Sequence, residues 1–190
     1  MKIEHYLNLF VLLIACFSLI AWTFNPAWFL LLDAVPMNPL TSVCLILNLC
    51  SFYFDNLNTN KIFVHTSMIL AAIVLYDFIF MENIKLDTWL FADKLKALGN
   101  RMAPSTAIAT IMMCASRLNF VSNFPVFSFA GLGLTACALL IRICNFSLLA
   151  GVTLFTPMSL WTAIALSACY VSQILSWRHY CKICGKNSLL

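Results

Sequence analysis

The stretch His179-Tyr-Cys181-Lys-Ile-Cys184 near the C-terminus holds the residue types with the clearest chemical potential. Two thiolates at this spacing are suited to bind one tetrahedral zinc ion, and His179 could supply a third ligand. A fourth ligand would have to come from elsewhere in the chain or from a second subunit. The same cysteines could instead form a redox pair, although no thioredoxin-like strand–helix–strand pattern surrounds them, or belong to a reduced, solvated tail. All three interpretations stay open; no cofactor is certain, and zinc at this motif is possible.

Asp77 is an ionisable residue inside an apolar stretch, Val74-Leu-Tyr-Asp-Phe-Ile-Phe80. A charged group inside a membrane is costly and for that reason often functional. Arg142 lies at a similar depth in a second apolar stretch, so an Asp77–Arg142 pair would lower the cost of both charges and could line a pocket. The alternatives are a purely structural pair, or side chains that reach the membrane surface.

A methionine precedes a threonine by four residues at the opening of three apolar runs. The pairs are Met37 with Thr41, Met102 with Thr106, and Met158 with Thr162. One helical turn separates the members of a pair, so they share a face. Proline lies inside two copies (Pro39, Pro104) and before the third (Pro157), which predicts three equivalent helix starts. These turns, with Trp161, either pack helices closely or present dipoles and hydroxyls to a ligand pocket.

The composition indicates that a membrane surrounds these residues. The chain is 63% hydrophobic and 9% charged, whereas a soluble domain has about a quarter charged residues. Six apolar runs have roughly the length of spanning helices; they are 6–24, 37–54, 63–81, 104–121, 126–143 and 156–176. The sequence therefore predicts an all-α integral membrane domain over 1–176 and a basic tail over 177–190.

The six predicted helices form three helical hairpins, and each second helix opens with a Met/Thr turn. Because each unit has an even number of helices, the units would be parallel pseudo-repeats with all three turns at one face. Segments rich in Trp and Phe precede the first two turns, at 25–33 and 87–96, and their composition is typical of short interfacial helices. The face that carries these segments and the turns is expected to be the outer one.

The distribution of positive charge favours a cytoplasmic location for both termini. Lys2, Lys61, Arg117, Arg178, Lys182 and Lys186 would lie inside, and Lys85, Lys94, Lys96, Arg101 and Arg142 outside. The outer positive charges are diluted by nearby acidic residues, and the tail is basic. A net charge of +4 gives no support to a nucleic-acid partner.

The strings Arg101-Met-Ala-Pro-Ser-Thr-Ala-Ile and Phe155-Thr-Pro-Met-Ser-Leu-Trp-Thr-Ala-Ile-Ala-Leu resemble a known pattern. They are similar to the multi-pass N-terminal membrane region of bacterial sensor histidine kinases and diguanylate cyclases. This chain has Ser105 where that pattern has Asn, and its 190 residues include no PAS, kinase or cyclase domain. The resemblance implies a sensory fold in a bacterial inner membrane with a cytoplasmic C-terminus, and it implies no output.

The sequence predicts a non-enzymatic sensory or regulatory module, since it has no G-x-S-x-G or H-E-x-x-H motif and only three histidines. Such a module would bind an apolar or amphipathic ligand, or sense membrane state, and signal to a partner. The alternative is a small integral subunit that scaffolds a larger complex. A small-solute transporter is a third class. A loss of transport in Asp77→Asn, with folding intact, would indicate that third class. The expected partners are the lipid bilayer and either another protein or further copies of this chain.

Overall fold

The computed structural model describes residues 3–24, 37–53, 57–80, 89–94, 101–118, 126–143 and 158–183. These residues are helical, lie in turns or form short irregular segments before helices, with no strand among them. Six helices carry the fold, and they are α1 (Ile3–Phe24), α2 (Pro39–Cys50), α3 (Leu57–Phe80), α4 (Pro104–Leu118), α5 (Val126–Ile143) and α6 (Leu160–Ile183). The prediction of an all-helical protein is confirmed for the described residues.

Two helices begin at the prolines of the Met/Thr turns. Pro39 and Pro104 are the first residues of α2 and α4, where a missing N–H costs no intrahelical bond. The Asn38 side chain caps α2 by accepting a hydrogen bond from the Leu40 N–H at 2.9 Å. In the third copy α6 begins at Leu160, two residues after Met158.

Side-chain contacts show that consecutive helices run antiparallel. Trp22, near the end of α1, bonds to the carbonyl of Met37 just ahead of α2. Ser128, at the start of α5, bonds to Gln173 in the second half of α6. The starts of α2, α4 and α6 therefore lie at one end of the bundle, called here the turn end. The opposite end holds the start of α1 and the end of α6.

The Met/Thr helices occupy equivalent positions in the bundle. Helix α2 packs between α1 and α3, α4 between α3 and α5, and α6 between α5 and α1, while α4 also contacts α2 and α6. These contacts close a ring of six helices. One apolar core joins α1, α2, α4 and α6, and a smaller one joins α2, α3 and α4.

Three helices are long and apolar enough to cross a membrane, within Ile3–Phe24, Asn58–Phe80 and Leu160–Cys181. Six such helices were predicted, and three of them have this length and composition among the described residues. The others have 12, 15 and 18 residues. Helix α2 is short because Pro39 sets its start and Ser51 caps its end, so part of the apolar run 37–54 lies outside the helix.

The segment 89–94 belongs to the second predicted interfacial helix. It forms a turn at residues 89–91 and becomes helical at Ala92, so a helix continuous from 87 to 96 is wrong. Phe91 adopts a left-handed conformation with φ of 59°, uncommon for a residue with a side chain, and its ring lies 6.4 Å from that of Trp22. The first predicted interfacial helix, 25–33, lies outside the described residues.

Candidate functional site at the Met/Thr turns

The first Met/Thr turn is fixed by hydrogen bonds from α1. The Met37 carbonyl accepts from Trp22 Nε1 at 2.8 Å and from Ser18 Oγ at 3.3 Å. Met37 and Thr41 are both buried. The backbone ahead of α2 is thus satisfied by the neighbouring helix, which the absence of water in a membrane interior would require.

The second turn carries an ion pair. Arg101, just before Met102, places Nη2 at 2.7 Å from Oδ2 of Asp77, whose side chain is 2% exposed while that of Arg101 is 47% exposed. Met102 and Thr106 are buried. The pair joins the end of α3 to the start of α4 and leaves the cation in partial contact with the surroundings.

The structure thus gives Asp77 a partner that the sequence interpretation did not choose. Arg101 lies ahead of the predicted span 104–121 and was treated as a charge of the outer loop. Asp77 is only one turn from the end of α3, so a residue at the start of α4 reaches it. The Arg142 side chain lies outside the described part of the molecule, and the Asp77–Arg142 pair stays a prediction.

The third turn is capped by its own side chains. Ser159 Oγ lies 2.7 Å from Thr162 Oγ1 and accepts from the Thr162 N–H at 3.2 Å. Met158 and Thr162 are buried, whereas Trp161 is partly buried. Met158 packs in the same core as Met37, while Met102 packs in the smaller core. The structure therefore brings two of the three turns into one core.

Each turn also contains a buried polar atom without a hydrogen-bond partner in the described structure. These atoms are Ser42 Oγ, Ser105 Oγ and Trp161 Nε1. Each belongs to the residue directly before or after a motif threonine. Buried polar groups in native proteins are nearly always paired, so an unpaired one requires a specific explanation. Sequence reasoning named Trp161 and did not single out the two serines.

The predicted metal ligands are only partly described. Helix α6 continues through Ile183, which places His179 and Cys181 on it two residues apart. Side chains at this spacing do not face each other on a helix. Cys184 lies beyond the described residues, so the zinc knuckle stays a prediction. Among the described residues, no group of three or more His, Cys, Asp or Glu side chains could hold a metal ion.

Sequence reasoning missed a polar cluster between α2, α3 and α4. Asn48 Nδ2 donates to Cys114 Sγ at 3.2 Å, and this thiol donates to Ser67 Oγ at 3.5 Å. Ser67 Oγ donates in turn to the Cys44 carbonyl at 3.1 Å. These cysteines are free and buried, as a cysteine inside an apolar run is expected to be.

Sequence reasoning also missed the contacts of Tyr170, a residue of α6, with α4 and α5. The Tyr170 hydroxyl donates to the Ala109 carbonyl, and a Cβ built on Gly131 would lie 2.1 Å from the Tyr170 ring. The glycine is therefore needed for helix approach. Two glycines in one apolar run were a signal for such a contact, although the sequence did not name its partner.

Comparison with other proteins gives no match. No protein-family model, no curated protein and no solved structure matches it. The resemblance to sensory membrane regions stays a prediction, and a function has to be inferred from the side chains themselves.

Proposed function

We propose that the chain is a non-enzymatic sensory or regulatory module of a bacterial inner membrane. In this proposal all six helices are embedded, the three hairpins form parallel pseudo-repeats, and the turn end binds an apolar or amphipathic ligand. The three long apolar helices support a membrane location. Both termini are cytoplasmic in this arrangement, because the described basic side chains at the opposite end, Lys61, Arg117 and Arg178, outnumber Glu4.

The observation that carries the proposal is the set of unpaired polar atoms at the three turns. Ser42 is fully buried and Ser105 is 6% exposed, and Trp161 contributes a buried indole N–H. In a membrane interior water does not satisfy such groups, and each unpaired group costs about 1–3 kcal/mol. A bound molecule with hydrogen-bonding oxygen atoms would recover part of this free energy.

The side chains around these atoms suit a ligand that is mostly apolar. Methionine is flexible and polarisable and adapts to irregular shapes, and the turns provide Met37, Met102 and Met158, all buried. The two cations described at the turn end already have partners, because Arg101 is held by Asp77 and Lys94 by α1 carbonyls. A neutral amphipathic molecule with an oxygen-bearing head fits this chemistry.

Helix α6 is the proposed route of the signal to a partner protein. It begins at one of the turns and runs 24 residues to the opposite end, a length of about 36 Å at 1.5 Å per residue. A displacement of its start by a bound molecule would reach the segment around Arg178, which is exposed. A second subunit could read that segment.

Native mass spectrometry of gently extracted protein tests the proposal. The wild-type chain of 21.3 kDa should carry a reproducible small adduct, which Ser42→Ala, Ser105→Ala and Trp161→Phe each reduce. Thr66→Ala is the matched control, because Thr66 is an exposed residue whose hydroxyl bonds within its own helix; it should retain the adduct. A bare wild-type chain, or equal occupancy in all variants, would overturn the proposal.

A scaffold subunit is the second candidate, and the surface of α1 favours it. Leu9, Leu13, Phe17, Ile20 and Phe24 are exposed and recur at helical spacing, so they form one apolar stripe. Lipid or the helix of another subunit would cover it. Replacement of Leu13 and Phe17 by Ala would remove a co-purifying protein if the scaffold function holds, and would leave the adduct unchanged if only the sensor function holds.

A further inference from the structure

We propose that Arg117 binds the phosphate of an anionic lipid at the opposite end of the bundle. This inference requires the membrane location but not the sensory function, since it concerns the other end of the molecule. Arg117 is partly buried in the last turn of α4. It lies inside the predicted span 104–121, where an ionisable residue calls for a functional explanation.

Contacts with the end of α2 fix the orientation of the guanidinium group. Arg117 Nη1 donates to the Asn48 carbonyl at 2.9 Å and also to Ser51 Oγ. The guanidinium carbon lies 3.1 Å from the centroid of the Phe52 ring. A planar cation stacked on an aromatic ring loses little further freedom when it binds a second group.

The charge of Arg117 is not balanced within the described residues. The one ion pair described there is between Arg101 and Asp77, at the turn end. The carbonyl end of α2 offers the equivalent of about half a negative charge, which does not cancel a full cation. Both hydrogen bonds described for the side chain come from Nη1, so the donors on Nη2 and Nε can bind a further acceptor.

The surroundings favour a lipid phosphate as that acceptor. Tyr53, next to the stacked Phe52, is 53% exposed, and tyrosine is enriched at the depth of lipid headgroups. Lys61 and Arg178 are exposed at the same end, and cationic side chains near a membrane surface attract anionic lipids. Arginine binds phosphate through two parallel N–H bonds, and Nη2 and Nε are the guanidinium nitrogens without a hydrogen bond to the described residues.

Lipid retention in native mass spectrometry tests the site. Full-length protein in detergent micelles is mixed with phosphatidylglycerol or phosphatidylcholine, and the lipid-bound fraction is measured for each. Wild type should retain phosphatidylglycerol in preference, and Arg117→Gln should weaken that retention about tenfold, the effect of losing one charge-assisted contact. Arg117→Lys should retain an intermediate amount, because lysine keeps the charge but not the paired donors.

Arg178→Gln is the matched control, since it removes an exposed cation from the same end; we expect less than about a twofold loss, as for a charge screened by solvent. Equal losses in Arg117→Gln and Arg178→Gln would overturn the proposal. Displacement of the lipid by millimolar inorganic phosphate would overturn it too, because free phosphate would then be the preferred anion.

Asp55 is the acidic residue closest in sequence to Phe52 and lies outside the described residues. If Asp55 neutralises Arg117, wild type should not distinguish the two lipids and only Asp55→Asn should retain phosphatidylglycerol. That result would also overturn the proposal. Preferential retention by wild type that depends on Arg117 would support it, even if Arg117→Gln folds poorly, because Arg117→Lys reports the same dependence.

Discussion

Positively charged side chains have different kinds of partner at the two ends of the bundle. At the turn end Arg101 is paired with Asp77, and Lys94 Nζ donates to the Trp22 and Thr23 carbonyls at 2.7 Å each. At the opposite end Arg117 has only a carbonyl, a hydroxyl and an aromatic ring as described partners. The groups that lack a partner therefore differ between the two ends. Among the described residues, the turn end lacks partners for neutral hydroxyl and indole groups, whereas the opposite end lacks an anion for Arg117 and a donor for the buried Asn8 Oδ1.

Arg101→Gln should give the largest loss of stability, and it tests the comparison at the turn end. It leaves the buried Asp77 carboxylate without its cation, which costs about 3 kcal/mol. The free energy of unfolding, measured by SDS titration in mixed micelles, reports the loss. The double variant Asp77→Asn/Arg101→Gln should recover at least half of it, because the buried carboxylate charge is then removed together with its cation.

Arg117→Gln provides the matching measurement at the opposite end. It leaves no described carboxylate behind, so the expected cost is about 1 kcal/mol, that of the lost hydrogen bonds. A loss as large as that of Arg101→Gln would show that Arg117 also neutralises a buried acid, and the contrast between the two ends would disappear.

Gly131→Ala should lower the free energy of unfolding by about 2 kcal/mol. It gives a reference value from the middle of the bundle, which belongs to neither end. The added Cβ would lie 2.1 Å from the Tyr170 ring, so the ring must move and its bond to the Ala109 carbonyl weakens. Thermal unfolding followed by circular dichroism measures the loss. Gly133→Ala is the control, because its Cβ would meet no atom within 4 Å; an equal loss in both would exclude the steric explanation.

Trp22→Phe should cost about 1 kcal/mol by removing one of two donors to the Met37 carbonyl. The remaining Ser18 bond limits the effect. Trp89→Phe serves as the control, since Trp89 is 70% exposed, and SDS titration compares the two. Indistinguishable unfolding midpoints would mean that the start of α2 does not depend on α1.

Lys94→Gln should have the smallest effect, about 0.5 kcal/mol, because it removes a cation from the carbonyl end of α1. The loss should shrink as salt is raised. Lys61→Gln is the control, an exposed lysine near the start of α3 rather than at a helix end that favours cations. A loss in Lys61→Gln at least as large would argue against a helix-dipole contribution from Lys94.

The starts of the Met/Thr helices were the best predicted part of the fold. Proline restricts the position of a helix start by local sterics, so α2 and α4 begin at Pro39 and Pro104 as the sequence predicted. Helix ends were less predictable, because hydropathy does not separate a helix from an apolar turn. The run 37–54 was taken as one span, yet its helix ends at Cys50.

The pairings of the candidate site could be predicted only in part. Asp77 was identified as costly from its neighbours in sequence, but its contact with Arg101 depends on how α3 and α4 meet. Arg117 carried the same signal, since it lay within a predicted span. It was nevertheless counted only among the positive charges of the cytoplasmic side, because sequence does not show which side chains approach a helix end. The unpaired hydroxyls of Ser42 and Ser105 depend on packing and leave no sequence signal at all.

Because α2 is short, its length would not match the thickness of a bilayer, and its neighbours determine how that mismatch is accommodated. Its 12 residues rise about 18 Å, against a hydrocarbon layer of about 30 Å. A lone helix of this length would force the bilayer to thin, but α2 is enclosed by α1, α3 and α4. Trp22 and Arg117 bond the backbone at or beside its two ends in place of lipid headgroups and water. In the proposed membrane location the bilayer can therefore keep its thickness around this protein, while the backbone at the two ends of α2 depends on two side chains of its neighbours for hydrogen bonds.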